Sequence, residues 1–300
     1  MNKQINKIKN YLSLVTFSHT VFAMPFALIG FFIAVKQMGY DFKWEILVFV
    51  ILCMIFARNA AMAFNRYADR EIDLKNPRTL LRELPAGIIK PKSALRFVII
   101  NSLLFITTTY FINKLTFLLS PVALIIILVY SITKKFTYLC HFILGIGLSL
   151  APIGAFLSVS GSFTDYNGHI YWMPLIYSLI VILWVTGFDI IYALQDHEFD
   201  ENENLKSIPV WLGKKKSLIF SFGIHTVAAA LIILTGVFYN FNYIYWIGAS
   251  IFLLLLLYQH MIIKPDDLSK LNIAFFVTNG VASIIYALFT ILSFYIKIKR

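Results

Sequence analysis

The sequence predicts an all-α integral membrane protein: nine transmembrane helices in a single polytopic domain over residues 1–300. Three observations predict it. Hydrophobic residues make up 59% of the chain and charged residues only 14%, whereas a soluble globular chain carries about 25% charge. Mean hydropathy is accordingly high, at +0.78. Apolar runs long enough to cross a hydrocarbon layer recur along the whole length, and lysine and arginine crowd the loops of one side.

The spans are expected at 17–35, 44–64, 94–111, 115–132, 139–160, 172–194, 217–238, 242–263 and 272–296. The first follows a Lys-rich N-terminus and lacks a small-residue cleavage site, so it reads as a retained span and not a removed signal peptide. The third and fourth are separated only by Asn113 and Lys114, a tight hairpin. With the N-terminus in the cytoplasm, the inward segments hold Lys3, Lys7 and Lys9, the basic residues from Arg66 to Arg96, Lys134 and Lys135, Lys206, Lys214–Lys216, Lys264 and Lys270. The outward segments hold Lys36, Lys43, Lys114 and the C-terminal Lys297, Lys299 and Arg300. This asymmetry predicts an odd number of spans in the inner (cytoplasmic) membrane. The two longest hydrophilic stretches, 65–93 and 195–216, then both face the cytoplasm.

The net charge of +11 is accounted for by that topology, and no base-reading motif accompanies it, which excludes nucleic acid as a partner. Cys53 and Cys140 fall within apolar runs and read as packing residues, not a disulfide. The six histidines are scattered, with neither CxxC nor HExxH, so a transition-metal site has no support.

Two aspartate pairs carry the chemistry. Asp69 and Asp73 close the second run, in the stretch from Asn65 to Asp73; Asp196 and Asp200 close the sixth, in the stretch from Asp189 to Asp200. Carboxylates are costly near hydrocarbon and persist there chiefly for function. Residues four apart share one helix face. Each pair closes an even-numbered span, so both run in one direction, and the constant offset between them suggests two pseudo-repeated halves. Brought together, the two faces would offer a cage of oxygen ligands suited to Mg2+, and through it to a diphosphate.

The neighbours extend each stripe. Asn65 adds an amide, and Arg58, two turns earlier, is a buried cation that expects a carboxylate or phosphate. Asn76-Pro77 stops the helix, and Arg78 and Arg82 follow, placed to hold phosphate oxygens. In the second stretch Asp189, Tyr192, Asp196 and Asp200 share a face, and Gly187 allows close helix packing. Lys134, Lys135 and Lys206 add positive charge on the same side. Arg66, Arg70 and Lys214–Lys216 read as charges at lipid headgroups, and His19 as a satisfied interfacial histidine.

These residue types suit departure of a diphosphate from an allylic carbon. A metal and basic side chains would offset the charge developing on the leaving group. Tyr192 could face the allylic cation, and Asp189 could orient an aromatic acceptor or take its proton. Two other classes stay open: a membrane cation transporter using the carboxylates as an ion path, and a prenyl-diphosphate binder without turnover.

At these residues the chain resembles the UbiA superfamily of intramembrane prenyltransferases. Asn65, Asp69 and Asp73 match its N-x-x-x-D-x-x-x-D signature, and Asp189, Tyr192, Asp196 and Asp200 match D-x-x-Y-x-x-x-D-x-x-x-D. The stretch from Arg78 to Gly87 is similar to its R-T-x-x-R-x-L-P-x-G loop, and Lys134-Lys135-Phe136-Thr137 to its basic element. The resemblance implies a nine-helix fold and aspartates that bind a polyprenyl diphosphate through Mg2+. It also implies transfer of the prenyl group to an aromatic acceptor in quinone biosynthesis. The second signature is most similar to the 4-hydroxybenzoate polyprenyltransferase branch. One departure is Asn65-Arg66, where the family often has Asn-Asp. With Ser18-His19-Thr20-Val21-Phe22-Ala23-Met24-Pro25-Phe26, it resembles a bacterial subgroup of futalosine-route menaquinone synthesis, whose acceptor would be 1,4-dihydroxy-6-naphthoate.

Overall fold

The computed structural model describes residues 10, 11, 13–15 and 22–296; His19 and the terminal lysines lie outside them. Helix α1 (Met24–Phe32) runs on through a π turn, Ile33–Gln37. It is followed by α2 (Trp44–Lys75), α3 (Pro91–Tyr110), α4 (Lys114–Thr133), α5 (Cys140–Ser160) and α6 (Trp172–Ala193). After a short α7 (His197–Asn202) come α8 (Ile208–Phe238), α9 (Tyr243–Ile262) and, preceded by a π turn at Ile273–Val277, α10 (Thr278–Tyr295). Among the described residues, eight helices are long and apolar enough to cross a membrane, and Met24–Gln37 is a shorter ninth. Apart from two isolated bridges, the described residues form no strand. The fold is therefore the all-helical, nine-rod bundle that the hydropathy predicts.

The boundaries differ where polar residues prolong a rod. Helix α2 does not end at residue 64 but continues through the aspartate motif to Lys75. No glycine or proline interrupts it until Asn76 turns extended before Pro77. Helix α8 starts at Ile208 rather than 217, with the Ser207 hydroxyl capping the Val210 N–H. Gly213, at φ 76°, breaks it five residues later. That left-handed backbone favours glycine. The second aspartate motif is not one regular α-helical stripe. Helix α6 tightens into a 3-10 turn over Leu194–Asp196 before α7 begins. There the Gln195 side-chain amide donates to the Tyr192 carbonyl at 2.9 Å.

Helix α6 lies at the heart of the bundle, packed between α5 and α8 and touching α1. Its Tyr177, Val181, Trp184 and Val185 are fully buried. Two glycines permit the tightest crossings. A Cβ at Gly187 would stand 2.2 Å from the His225 ring of α8, and one at Gly30 would stand 1.9 Å from the Pro152 carbonyl oxygen of α5. Small residues admit such approach where lipid supplies no hydrophobic drive to bring helices together.

A buried polar ladder fixes the second π turn. The Trp184 indole N–H donates to Asn279 Oδ1 at 2.9 Å, and the Asn279 amide donates to the Ala274 and Phe275 carbonyls at 3.0 Å each. Satisfying freed carbonyls in this way makes a π turn tolerable inside a membrane bundle. The turn carries Phe275 and Phe276 against Tyr192.

Candidate active site

Both aspartate motifs emerge at one end of the bundle, where the 76–90 turn meets the 194–207 turn. Asp69 and Asp73 stand one helical turn apart on α2, each only 4% exposed. Burial of bare carboxylates is costly unless cations meet them. Lys134 Nζ lies 2.9 Å from Asp69 Oδ2, and Arg82 Nη1 lies 2.8 Å from Asp73 Oδ1. Arg78 reaches the other motif, with Nε 2.9 Å from Asp196 Oδ1 and Nη2 2.5 Å from Oδ2. That is the bidentate fork a guanidinium makes with a carboxylate.

Asn76 completes the junction. Its amide donates to Asp196 Oδ1 at 3.1 Å while its oxygen accepts the Arg78 N–H at 2.9 Å. Thr79, 1% exposed, donates its hydroxyl to the Asp73 carbonyl at 2.9 Å and seats the turn. Lys75 pairs with Glu203 at 2.6 Å across the same seam. Asp200 is buried, within electrostatic reach of Lys134, Asp196 and Arg78. The Asn65 amide donates to Asp69 Oδ2 at 3.3 Å.

The two cations outside the spans respond as expected from these pairings. Burial opposes the charge of Arg78, but the hydrogen bonds and charge of Asp196 prevail and lift its pKa above the ordinary value. Burial likewise opposes the charge of Lys134, and Asp69, with Asp200 and Asp73 behind it, overcomes that and raises its pKa.

The remaining candidates divide. Arg58 has its buried Nε without a hydrogen-bond partner and, with Tyr130, lines an apolar cavity of about 360 Å³ between α2, α3, α4 and α5. The cavity extends along α4 from Tyr130 to Thr116, about 21 Å at helical rise. Tyr192 stacks on Phe275 with ring centroids 4.0 Å apart, and the Arg78 guanidinium lies 5.9 Å from its ring. Asp189 receives a hydrogen bond from His141 at 2.7 Å. Lys135 donates to the Ala68 carbonyl at 3.3 Å, and Lys206 Nζ donates to the Phe136 carbonyl at 3.2 Å beside the Tyr138 ring. These two lysines hold main chain instead of a carboxylate. The Lys206 N–H also donates to the Lys134 carbonyl at 2.6 Å and so steadies that lysine.

Mg2+ suits this donor set. Asp69 Oδ1 and Asp73 Oδ2 are buried, adjacent on α2 and without hydrogen-bond partners, which is the hard oxygen environment such a cation takes. The four aspartates do not by themselves converge into one cage: among the described residues no three acidic, histidine or cysteine side chains form a metal-holding group. Lys134, Arg82 and Arg78 each hold one carboxylate instead.

Several site residues escaped the sequence reading. Asn76 read only as a helix stop. His141 read as one of several scattered histidines, yet it is 3% exposed and touches Asp189. Arg66 read as a headgroup charge, but it is half-buried, within electrostatic reach of Arg82, Asp73, Glu83 and Tyr130. The one available signal was that His141 lies within a long apolar run, 139–160.

The chain is thus a helical bundle of membrane-spanning length with paired carboxylates and cations at one end and an apolar cavity beside them. The UbiA prenyltransferase family matches residues 23–280, and the chain belongs to that family. A 4-hydroxybenzoate octaprenyltransferase of Aliivibrio fischeri strain ES114 is 30% identical over 250 residues, covering 81% of this chain and 82% of the relative. The apo structure of a UbiA homolog from Aeropyrum pernix K1 superposes with a TM-score of 0.81 at 30% identity, covering 91% of this chain and 97% of that one. A UbiA homolog from Archaeoglobus fulgidus, solved bound to GPP and Mg2+, shares the fold with a TM-score of 0.72 at 19% identity, covering 96% of this chain and 100% of that one.

Proposed function

We propose that this chain is a Mg2+-dependent aromatic prenyltransferase. It moves a polyprenyl group from a polyprenyl diphosphate to an acceptor of the 4-hydroxybenzoate type, in quinone biosynthesis. The observation that carries the reading is the junction of the two aspartate motifs through Asn76 and Arg78, with an apolar cavity nearby whose lining includes Arg58. The curated relatives' name supports the acceptor, and the Archaeoglobus relative's ligands support the donor class and the metal.

Together with oxygens of the diphosphate, Asp69, Asp73, Asp196 and Asp200, with Asn65, would hold Mg2+, which when bound neutralises charge gathering on the leaving group. Arg78, Arg82 and Lys134 offer N–H donors to the diphosphate oxygens, and Arg58 stands at the head of the cavity that takes the prenyl chain. The C–O bond of the donor breaks and its electron pair leaves with the diphosphate. The allylic carbon is left beside the rings of Tyr192 and Phe275, whose faces favour positive charge once water is excluded. A ring carbon of the acceptor then forms the new C–C bond, and its proton passes to the Asp189 carboxylate.

A second reading keeps the reaction and changes the acceptor to 1,4-dihydroxy-6-naphthoate. It is favoured by Arg66, which follows Asn65 and lies in the field of Asp73 and Glu83. The test is a membrane assay with labelled polyprenyl diphosphate, offering both acceptors side by side. Prenylated 4-hydroxybenzoate is the expected product, and a product from the naphthoate alone selects the second reading. Donor binding without transfer to either acceptor, or cation flux in proteoliposomes without donor, overturns both.

A further inference from the structure

His141 is the second residue of α5, yet it meets two other helices at once. Its Nδ1 stands 2.7 Å from Asp189 Oδ2 on α6. Its Nε2 accepts the Ile208 N–H, the first amide of α8, at 3.3 Å. Its own carbonyl accepts the Thr186 hydroxyl at 3.4 Å. Because Nε2 is an acceptor, the ring proton sits on Nδ1 and is donated to the carboxylate.

The pair is graded in depth. The His141 side chain is 3% exposed and that of Asp189 is 23% exposed. One oxygen of Asp189 is thus held from behind by a buried imidazole. The other makes no hydrogen bond among the described residues, and the side chain retains partial exposure. Asp189 lies within electrostatic reach of Tyr130, which lines the apolar cavity together with Arg58. A carboxylate with one oxygen tethered and the other free to accept is a preorganised acceptor of hydrogen bonds.

We propose that His141 is a positioning residue for prenyl transfer: its Nδ1–H fixes one oxygen of Asp189 and turns the other toward the aromatic acceptor. This rests on the reading above, in which Asp189 serves the acceptor. A free carboxylate samples several rotamers. Holding it in one removes that search from each turnover, and a small misplacement of a reacting group is enough to slow chemistry. His141 does not itself touch the acceptor, so its influence falls on the acceptor step and not on the diphosphate.

The same histidine ties α5 to α8, so a merely structural role has to be separated. Two substitutions divide the ring's two contacts. In His141→Asn the amide takes the place of Nδ1: the donor to Asp189 stays and the Ile208 contact is lost. In His141→Gln the amide reaches the place of Nε2: the Ile208 contact stays and Asp189 is released. The full-length variants are purified in nanodiscs, and kcat and KM are measured separately for donor and acceptor, alongside the melting temperature. His141→Asn is expected to hold acceptor kcat/KM within about threefold of wild type while melting earlier. His141→Gln is expected to lose roughly 10- to 100-fold in acceptor kcat/KM, with donor KM and melting temperature close to wild type. On an Asp189→Asn background, His141→Gln should add nothing, because the two act as one unit.

Equal losses in both variants, or activity that follows melting temperature, overturn the proposal. Failure of the underlying reading looks different. If Asp189→Asn turns over like wild type, Asp189 has no acceptor role and the inference about His141 falls with it. If Asp189→Asn is inactive while His141→Gln is not, only the positioning role is refuted.

Discussion

Arg78 grips both oxygens of Asp196 across 118 residues of sequence, at 2.9 and 2.5 Å. This fork binds the turn after α2 to the turn after α6. Arg78→Ala is expected to lower kcat/KM for the donor by roughly 10- to 100-fold, in line with loss of hydrogen bonds between charged partners. Arg78→Lys should recover only part of this, because an ammonium cannot form the fork. Steady-state kinetics with varied donor at saturating acceptor checks both, and full recovery by lysine would argue against bidentate geometry.

Asn76 shares Asp196 with Arg78. Asn76→Ala should cost less, roughly 3- to 10-fold in donor kcat/KM, because a neutral hydrogen bond contributes less than a charged one. Asn76→Asp should be worse than Asn76→Ala, since it places a second carboxylate against Asp196 and leaves no amide to donate. The ranking of the two variants is the measurement.

The two unpartnered oxygens on Asp69 and Asp73 predict a cation requirement. A chelator should abolish prenyl transfer by wild-type membranes, and added Mg2+ should restore it. Asp69→Ala should insert normally, fail to transfer, and remain inactive at any Mg2+ concentration. Transfer that persists in excess chelator would remove the metal from the reaction.

Ala123 lines the apolar cavity on α4. Ala123→Trp fills the space a long tail needs, so turnover with a long polyprenyl donor should fall on the order of tenfold or more, while geranyl diphosphate stays a substrate. Comparing kcat/KM for the two donors isolates tail accommodation from the diphosphate chemistry. An equal fall with both would move the tail elsewhere.

Gly187 offers a stability prediction. A methyl group there meets the His225 ring at 2.2 Å, and overpacking of this kind costs about 1–3 kcal/mol. Gly187→Ala should melt several degrees lower in detergent. Gly154, where a Cβ meets nothing within 4 Å, is the control, and Gly154→Ala should melt close to wild type.

The rods and the aspartates were legible because both depend on local rules. Apolar runs announce spans, and carboxylates four apart at their ends announce a face. The extension of α2 to Lys75 was legible too, had the lack of any breaker before Asn76 outweighed the drop in hydropathy after residue 64. Contacts between distant segments were not. Nothing near Asn76 says that its amide meets Asp196, and nothing near Cys140-His141 points to Asp189, because helix packing decides both. Lys206 shows the converse. Its charge and position invited a phosphate role, while the fold engages its side chain with the Phe136 carbonyl. The 3-10 turn at Leu194–Asp196 likewise arises within a sequence whose spacing suits an unbroken helix.

The order in which the ion pairs appear along the chain bears on biogenesis. Arg82 and Lys134 both precede α5, so the counter-charges of Asp73 and Asp69 lie within the first half of the chain. The first four helices can therefore settle in the bilayer without a bare buried anion. Arg78 and Lys75 find their partners only in the second half, where the turn after α6 supplies Asp196 and Glu203. The fork between Arg78 and Asp196 thus exists only when both halves of the protein are assembled in register.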